Sequence, residues 1–247
     1  MKIAGIIPAR WESSRFPGKP LVNINGKTMI RRVYQQCLKC QHLDTVIVAT
    51  DDERIMKEVA NFGGLAMMTS TAHESGTERC GEVLENLASQ GNEFDAVINI
   101  QGDEPYIDPR QITSVATQLQ NKNIDIATLV KEISASKELF DPNVVKVVRA
   151  GDGRALYFSR SSIPFCRGLD QKKWLDKHSF FKHVGIYGYK TGVLTKIIAL
   201  PKGKLELVES LEQLRWLENG FSVFTEETDL ESFAIDSPED LAKILNI

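Results

Sequence analysis

The first half of the chain alternates short apolar runs with segments in which apolar residues recur every three or four positions. Runs at Lys2–Pro8, Thr45–Thr50, Leu65–Met68, Ala96–Gln101 and Asp125–Val130 are rich in β-branched residues and read as strands. Between them Met29, Ile30, Val33, Tyr34, Cys37 and Leu38 keep helical spacing, as do Ile55, Met56, Val59 and Ala60, and later Ile112, Val115, Ala116 and Leu119. A further helix is predicted to open at Ser75, because Ser75-Gly76-Thr77-Glu78 has the form of a capping box. Strands alternating with amphipathic helices predict a doubly wound α/β sheet.

The second half changes character. Val144–Ala150 and Ala155–Ser159 flank Gly151-Asp152-Gly153, which signals a hairpin. The polar stretch from Arg167 to Ser179 reads as a loop, and Ile186–Lys190 as a strand. Leu207, Val208, Leu211, Leu214 and Leu217 form the apolar stripe of one long helix. Ser237-Pro238-Glu239-Asp240 opens a last helix, with serine as the cap and proline in the first turn. No linker or repeat divides the chain. It reads as a single domain over residues 1–247, with an inserted subregion at about 133–225.

Composition adds exclusions. Within 247 residues, 42% are hydrophobic, 26% are charged, and the formal net charge is −3. That balance offers no bulk attraction to nucleic acid or to an anionic membrane, so any bound phosphate needs a local cluster of cations. No run has the length of a membrane span, and the N-terminal apolar run is too short for a signal peptide, so the expected location is the cytoplasm. Cys37 and Cys40 are spaced as neighbours on a helix, with no second pair at zinc-site spacing, and read as ordinary thiols.

Two segments carry candidate chemistry. The first strand runs into Pro8-Ala9-Arg10-Trp11-Glu12-Ser13-Ser14-Arg15-Phe16-Pro17-Gly18-Lys19-Pro20. In doubly wound sheets ligands sit at the carboxyl ends of strands, and this loop offers three cations, two serines and a glycine there. It suits a polyphosphate, whose charge must be neutralised before a nucleophile can approach. The familiar alternatives fail: Gly26-Lys27-Thr28 lacks the upstream glycine of a P-loop, and Gly151-x-Gly153 lacks the third glycine of a dinucleotide site. The second segment, Gln101-Gly102-Asp103-Glu104-Pro105, places a carboxylate at another strand end, where it can share Mg²⁺ with phosphate oxygens. Gly102 there permits close approach of a ligand to the backbone. Asp236, after Phe233-Ala234-Ile235, is either a second metal carboxylate or a local cap.

Taken together, these residues resemble the 3-deoxy-manno-octulosonate cytidylyltransferases, which make CMP-KDO for bacterial lipopolysaccharide. The likeness rests on Ile7-Pro8-Ala9-Arg10, Ser13-Ser14-Arg15-Phe16-Pro17-Gly18-Lys19-Pro20-Leu21, Ala49-Thr50-Asp51 and Ser75-Gly76-Thr77-Glu78-Arg79. It continues through Gln101-Gly102-Asp103-Glu104-Pro105, Ala155-Leu156-Tyr157-Phe158-Ser159-Arg160, His183-x-Gly185-Ile186-Tyr187-Gly188-Tyr189, Leu211-Glu212-Gln213-Leu214-Arg215 and Asp236-Ser237-Pro238-Glu239-Asp240. The motifs run in order along nearly the whole chain. The chain departs at Phe233-Ala234-Ile235 and Ser237, and Glu12 adds a negative charge to the phosphate loop.

The resemblance implies a Rossmann-like mixed sheet of the nucleotide-diphospho-sugar transferase type, two substrates, CTP and KDO, Mg²⁺ as cofactor, and a homodimer formed through the inserted subregion. It implies that Arg10, Arg15 and Lys19 bind the triphosphate beside Ala9, and that Ser75, Gly76 and Arg79 hold the cytidine. Asp103 and Asp236 would bind the metal. Gln101, Arg160, His183, Tyr187, Glu212 and Gln213 would hold the sugar acid, with Arg160 and His183 paired to its carboxylate. The implied reaction is in-line attack of the sugar's anomeric hydroxyl on the α-phosphorus of CTP, with Arg10, Arg15, Lys19 and Asp103 as the catalytic groups. The alternatives are a cytidylyltransferase for 8-amino-KDO and a non-catalytic nucleotide-binding subunit of the same fold.

Overall fold

A computed structural model describes residues 1–12 and 16–245. The expected triphosphate ligand Arg15 therefore lies outside the described residues. In chain order the strands are β1 (Ile3–Ala9), β2 (Asn23–Ile24), β3 (Lys27–Thr28), β4 (Thr45–Thr50), β5 (Leu65–Met68), β6 (Ala96–Asn99), β7 (Ile126–Glu132), β8 (Lys146–Arg149), β9 (Ala155–Ser159), β10 (Phe181–Lys190) and β11 (Val223–Glu227). The helices are α1 (Met29–Cys37), α2 (Glu53–Asn61), α3 (Gly76–Ser89), α4 (Pro109–Gln120), α5 (Ser136–Phe140), α6 (Trp174–Lys177), α7 (Thr191–Ile198), α8 (Lys204–Glu209), α9 (Gln213–Glu218) and α10 (Pro238–Leu245).

β1 alternates its side chains between two buried faces. Ile3 and Ile7 join Ile30 and Val33 of α1 and Ile112 and Val115 of α4 on one side. Ala4 and Ile6 meet Cys80, Val83 and Leu84 of α3 on the other. A strand with no solvent face must be central, and β1 pairs in parallel with β4 on one edge and β6 on the other. The full order is β5-β4-β1-β6-β10-β7-β11, with β10 antiparallel to both neighbours and β8 and β9 added beside it. The sheet is therefore mixed and doubly wound, as expected. β10 and β11, from the region read as an insertion, are strands of this same sheet.

The capping box at Ser75 forms as predicted: the Ser75 hydroxyl accepts from the Glu78 N–H, and the Glu78 carboxylate accepts from the Ser75 N–H. Three expectations change. The single long helix through Leu207–Leu217 is two short ones, α8 and α9, because Ser210 adopts a left-handed backbone with φ 52° and leaves Leu207 and Val208 exposed. The polar stretch 167–179 is not wholly loop, since Trp174 is buried against Phe180, Ile133 and Leu139 and nucleates α6. β10 begins at Phe181 rather than Ile186, its polar first residues pairing with β7 and β8.

Gly188 of β10 lies so close to α4 that an added Cβ would stand 2.5 Å from Val115 Cγ1 and 2.7 Å from Leu119 Cδ1. Gly188→Ala is expected to lower stability by about 1–3 kcal/mol through overpacking. Gly192→Ala, in α7 where nothing lies within 4 Å, should be neutral or stabilise by up to about 1 kcal/mol through helix propensity. Urea denaturation of both variants checks the contrast.

Candidate active site

The order of the sheet reverses at β1: the chain runs outward to β4 on one side and returns to β6 on the other. Loops leaving the carboxyl ends of β1 and β6 diverge and open a crevice between them. The backbones here approach closely. A Cβ on Gly102 would sit 2.6 Å from the Pro8 carbonyl oxygen, and one on Gly76 would sit 3.1 Å from Pro8 Cγ. Gly102 is thus needed for the close contact of this loop with the end of β1, and it also lines the crevice.

The crevice is a cavity of about 270 Å³. Pro8, Ala9 and Arg10 form one wall, and Ser75, Gly76 and Arg79 at the start of α3 form another. Gln101, Gly102, Asp103, Lys19 and Asp236 complete it. The positive end of the α3 dipole opens into this space, which favours phosphate. Gly18, with φ 72°, turns the loop and donates its N–H to the Trp11 carbonyl at 3.0 Å, while the Trp11 ring covers its Cα and stacks against the Arg54 guanidinium. That turn delivers Lys19, whose Nζ lies 2.7 Å from Asp103 Oδ2 and 3.1 Å from Asp236 Oδ1.

Asp236 reaches the site through a stitched segment. The Ile235 N–H donates to the Asp103 carbonyl at 2.9 Å, and the Ser232 hydroxyl donates to Glu104. The Ile235 side chain is buried with Ile24 and Met29. Ser237 and Asp240 then cap α10, with Ser237 Oγ 3.0 Å from Asp240 Oδ2. Glu104 is itself buried; that burial, aided by the Asp103 charge and opposed by the Ser232 hydroxyl, pushes its carboxyl up to about 7.

Arg79 lines the cavity, but its guanidinium is buried and committed to protein partners. It donates to Thr69 Oγ1 at 2.7 Å, to the Ser70 carbonyl at 3.2 Å and to Asp51. Its place is to brace the ends of β4 and β5 against α3. The carboxamide of Gln101 donates to the Gly185 carbonyl at 2.9 Å and fixes β10 to the cavity wall.

The other residues expected to hold the sugar lie outside this cavity. Arg160 donates to the carbonyls of Glu209, Pro142 and Ser210. His183 Nε2 lies 3.0 Å from Thr128 Oγ1, and burial pushes its imidazole down to about 4. His183 faces a second hollow shared with Glu104, Lys131 and Lys182. Its ring remains able to donate or accept one hydrogen bond in this hollow. Tyr187 is buried, stacked on Tyr189 at 5.9 Å with Trp216 edge-on at 5.2 Å. Gln213 is buried in the first turn of α9. Glu212 accepts from Thr77 Oγ1 at 2.8 Å, and burial raises its carboxyl above the usual range. It borders a third hollow that shares Ser75 and Glu74 with the main cavity.

The structure adds residues that the sequence did not single out. His73, bonded to Glu82, and Glu74 both line the main cavity. Their one signal is position, directly before the capping box of α3. Asp51 emerges as the partner that holds Arg79.

Two outcomes follow from this geometry. Gly102→Ala should push the β1 end away from Asp103 and weaken CTP binding by tenfold or more, on the order of 1.4 kcal/mol, with an unchanged circular dichroism spectrum; titration calorimetry reads it. His183 has a folded pKa below its unfolded value of 6.5, so the stability it confers is complete above pH 6.5 and is lost as pH falls toward 4. The slope approaches about 1.4 kcal/mol per pH unit in that window, and His183→Gln should flatten it in denaturation curves taken from pH 7 to pH 4.

Comparison with known proteins agrees with the geometry. A family model described as cytidylyltransferase matches residues 4–244. The 3-deoxy-manno-octulosonate cytidylyltransferase of Parabacteroides distasonis is 50% identical over 99% of this chain and 97% of its own length. That of Cytophaga hutchinsonii is 49% identical, over 99% and 96%. A solved CMP:2-keto-3-deoxy-manno-octonic acid synthetase in complex with CTP superposes with a TM-score of 0.91 at 42% identity, over 100% of this chain and 98% of the other. A 4-diphosphocytidyl-2C-methyl-D-erythritol synthase from Anaerococcus prevotii, 11% identical with a TM-score of 0.63, shares the fold, over 99% of this chain and 97% of its own. With relatives half identical over nearly their full length and a family model matching residues 4–244, the chain belongs to the 3-deoxy-manno-octulosonate cytidylyltransferase family.

Proposed function

We propose that this protein transfers CMP from CTP to the anomeric hydroxyl of 3-deoxy-D-manno-octulosonate, releasing pyrophosphate and supplying CMP-KDO for lipopolysaccharide. The observation that carries the reading is the convergence of Lys19, Asp103 and Asp236 in one cavity beside the start of α3. The anomeric oxygen attacks the α-phosphorus, the bond to the β-bridging oxygen breaks, and pyrophosphate leaves with the electron pair. Arg10 and Lys19 hold the triphosphate, and the α3 N-terminus adds its partial positive charge. No covalent nucleophile is assigned among the described residues that line the cavity, so the rate comes from positioning and charge stabilisation.

Mg²⁺ fits the donor set. Asp103 and Asp236 present hard carboxylate oxygens to one cavity, and no group of three or more metal-binding side chains forms among the described residues. Such a pair holds the ion jointly with substrate phosphates. When bound, the ion supplies charge neutralisation at the phosphate. Ser75 and Glu74 link the nucleotide cavity to the adjoining hollow that Glu212 borders, where the sugar acid is expected. KDO itself is favoured over its 8-amino analogue, and catalysis over mere nucleotide binding, because the half-identical relatives are named for transfer to KDO.

No helix among the described residues is long and apolar enough to cross a membrane. We place the reaction in the cytoplasm, where CTP is made. We also propose a homodimer through the region 133–225, which exposes the apolar side chains Leu156, Phe165, Leu207 and Val208.

Pyrophosphate release should require CTP, KDO and Mg²⁺ together, and UTP should not replace CTP. Asp103→Ala is expected to reduce release by about 10²–10³-fold, the scale of losing one preorganised electrostatic group, with unchanged circular dichroism. Release from CTP without KDO, or near-normal release by the variant, would contradict the assignment. Sedimentation should give twice the chain mass, and Val208→Glu should shift it toward the monomer.

A further inference from the structure

We infer that Lys19 stands in for the divalent cation in the free protein, and that nucleotide binding moves its ammonium from the carboxylates to the triphosphate. This rests on the metal reading of Asp103 and Asp236.

The geometry is specific. The ammonium is 2.7 Å from Asp103 and 3.1 Å from Asp236, joining residues 84 and 217 positions away in sequence. Its side chain is 14% exposed, against 24% for Asp103 and 40% for Asp236. The contact with Asp103 is therefore screened less than a surface ion pair, and that with the more exposed Asp236 is the weaker of the two. A compact ammonium with three donors can serve two carboxylates at once, as a small divalent ion would. A dication and an ammonium cannot share the same two oxygens without strong repulsion. For the ion to bind, Lys19 must yield.

The chain is built to let it yield. The backbone of Lys19 is pinned by the left-handed Gly18, by the Leu21 N–H to Gly18 carbonyl bond at 2.9 Å and by the buried Pro20. Its four-carbon stem remains free to swing into the cavity, whose walls hold Arg10 and Ser75. With no phosphate there, leaving the carboxylates gains nothing for the ammonium. With a triphosphate present it exchanges one anion for another. Metal and nucleotide therefore help each other to bind, through a coupling that is reciprocal.

The test uses Mn²⁺ as the probe, followed by electron paramagnetic resonance on the full chain, without and with CTP and without KDO. Wild-type protein should bind Mn²⁺ weakly alone and at least about tenfold more tightly with CTP, within the usual range of such couplings. Lys19→Met should bind Mn²⁺ alone at least about tenfold more tightly than wild type and gain less from CTP than wild type does. Lys19→Arg, which keeps the cation, should stay weak without nucleotide. Thermal melts monitor folding, and added Mn²⁺ should raise the melting temperature of Lys19→Met more than that of wild type. Unchanged or weaker Mn²⁺ binding by Lys19→Met, beside normal uptake by wild type with CTP, would overturn the stand-in alone. If wild type takes up no more Mn²⁺ with CTP than Asp103→Ala does, the metal reading falls and this inference falls with it.

Discussion

The active site hangs from the placement of β1, a strand with no solvent face, between two parallel neighbours. Parallel pairing with β4 and β6 aligns three carboxyl ends at one edge, and the reversal of chain direction there keeps the loops from covering it. The Pro8 carbonyl then meets Gly102 with no room for a side chain. That contact sets how far the cationic loop stands from Asp103. A shift of a strand end by a fraction of an ångström would reach both halves of the site.

The remaining parts are tethered to this edge by polar bonds instead of by the sheet. Asp236 belongs to a segment with no strand of its own, held through Ile235, Ser232 and the buried carboxyl of Glu104. Arg79 holds the ends of β4 and β5 through Asp51 and Thr69. Gln101 ties β10 to the cavity wall. One rigid edge with several hydrogen-bonded attachments suits a site that must hold a highly charged ligand while its walls stay in register.

Legibility in the sequence followed the range of the interaction. The capping box at Ser75 and the cap of α10 were readable because their partners lie three residues apart. The central strands were readable because both faces are buried and the apolar runs are unbroken. The break at Ser210 was hidden, since Leu211 and Leu214 keep helical spacing with Leu207 across it, and periodicity does not sense one left-handed residue. Trp174 was lost in a polar stretch because its partners, Ile133, Leu139 and Phe180, lie in other elements. Family motifs located Arg79 and His183. Their contacts are with Asp51 and Thr128, which no spacing rule connects to them.

The stacking of Arg54 on Trp11 gives the protein a natural optical reporter. Of its three tryptophans, Trp174 and Trp216 are sealed in the interior, away from solvent. Trp11 alone stands in the phosphate loop, its indole laid over Gly18 and against a guanidinium. Its emission therefore depends on how that cation sits over the ring and on how the neighbouring turn is held. Intrinsic fluorescence thus divides between two buried indoles and one tied to the loop that carries Lys19, which makes Trp11 the indole nearest to events in the crevice.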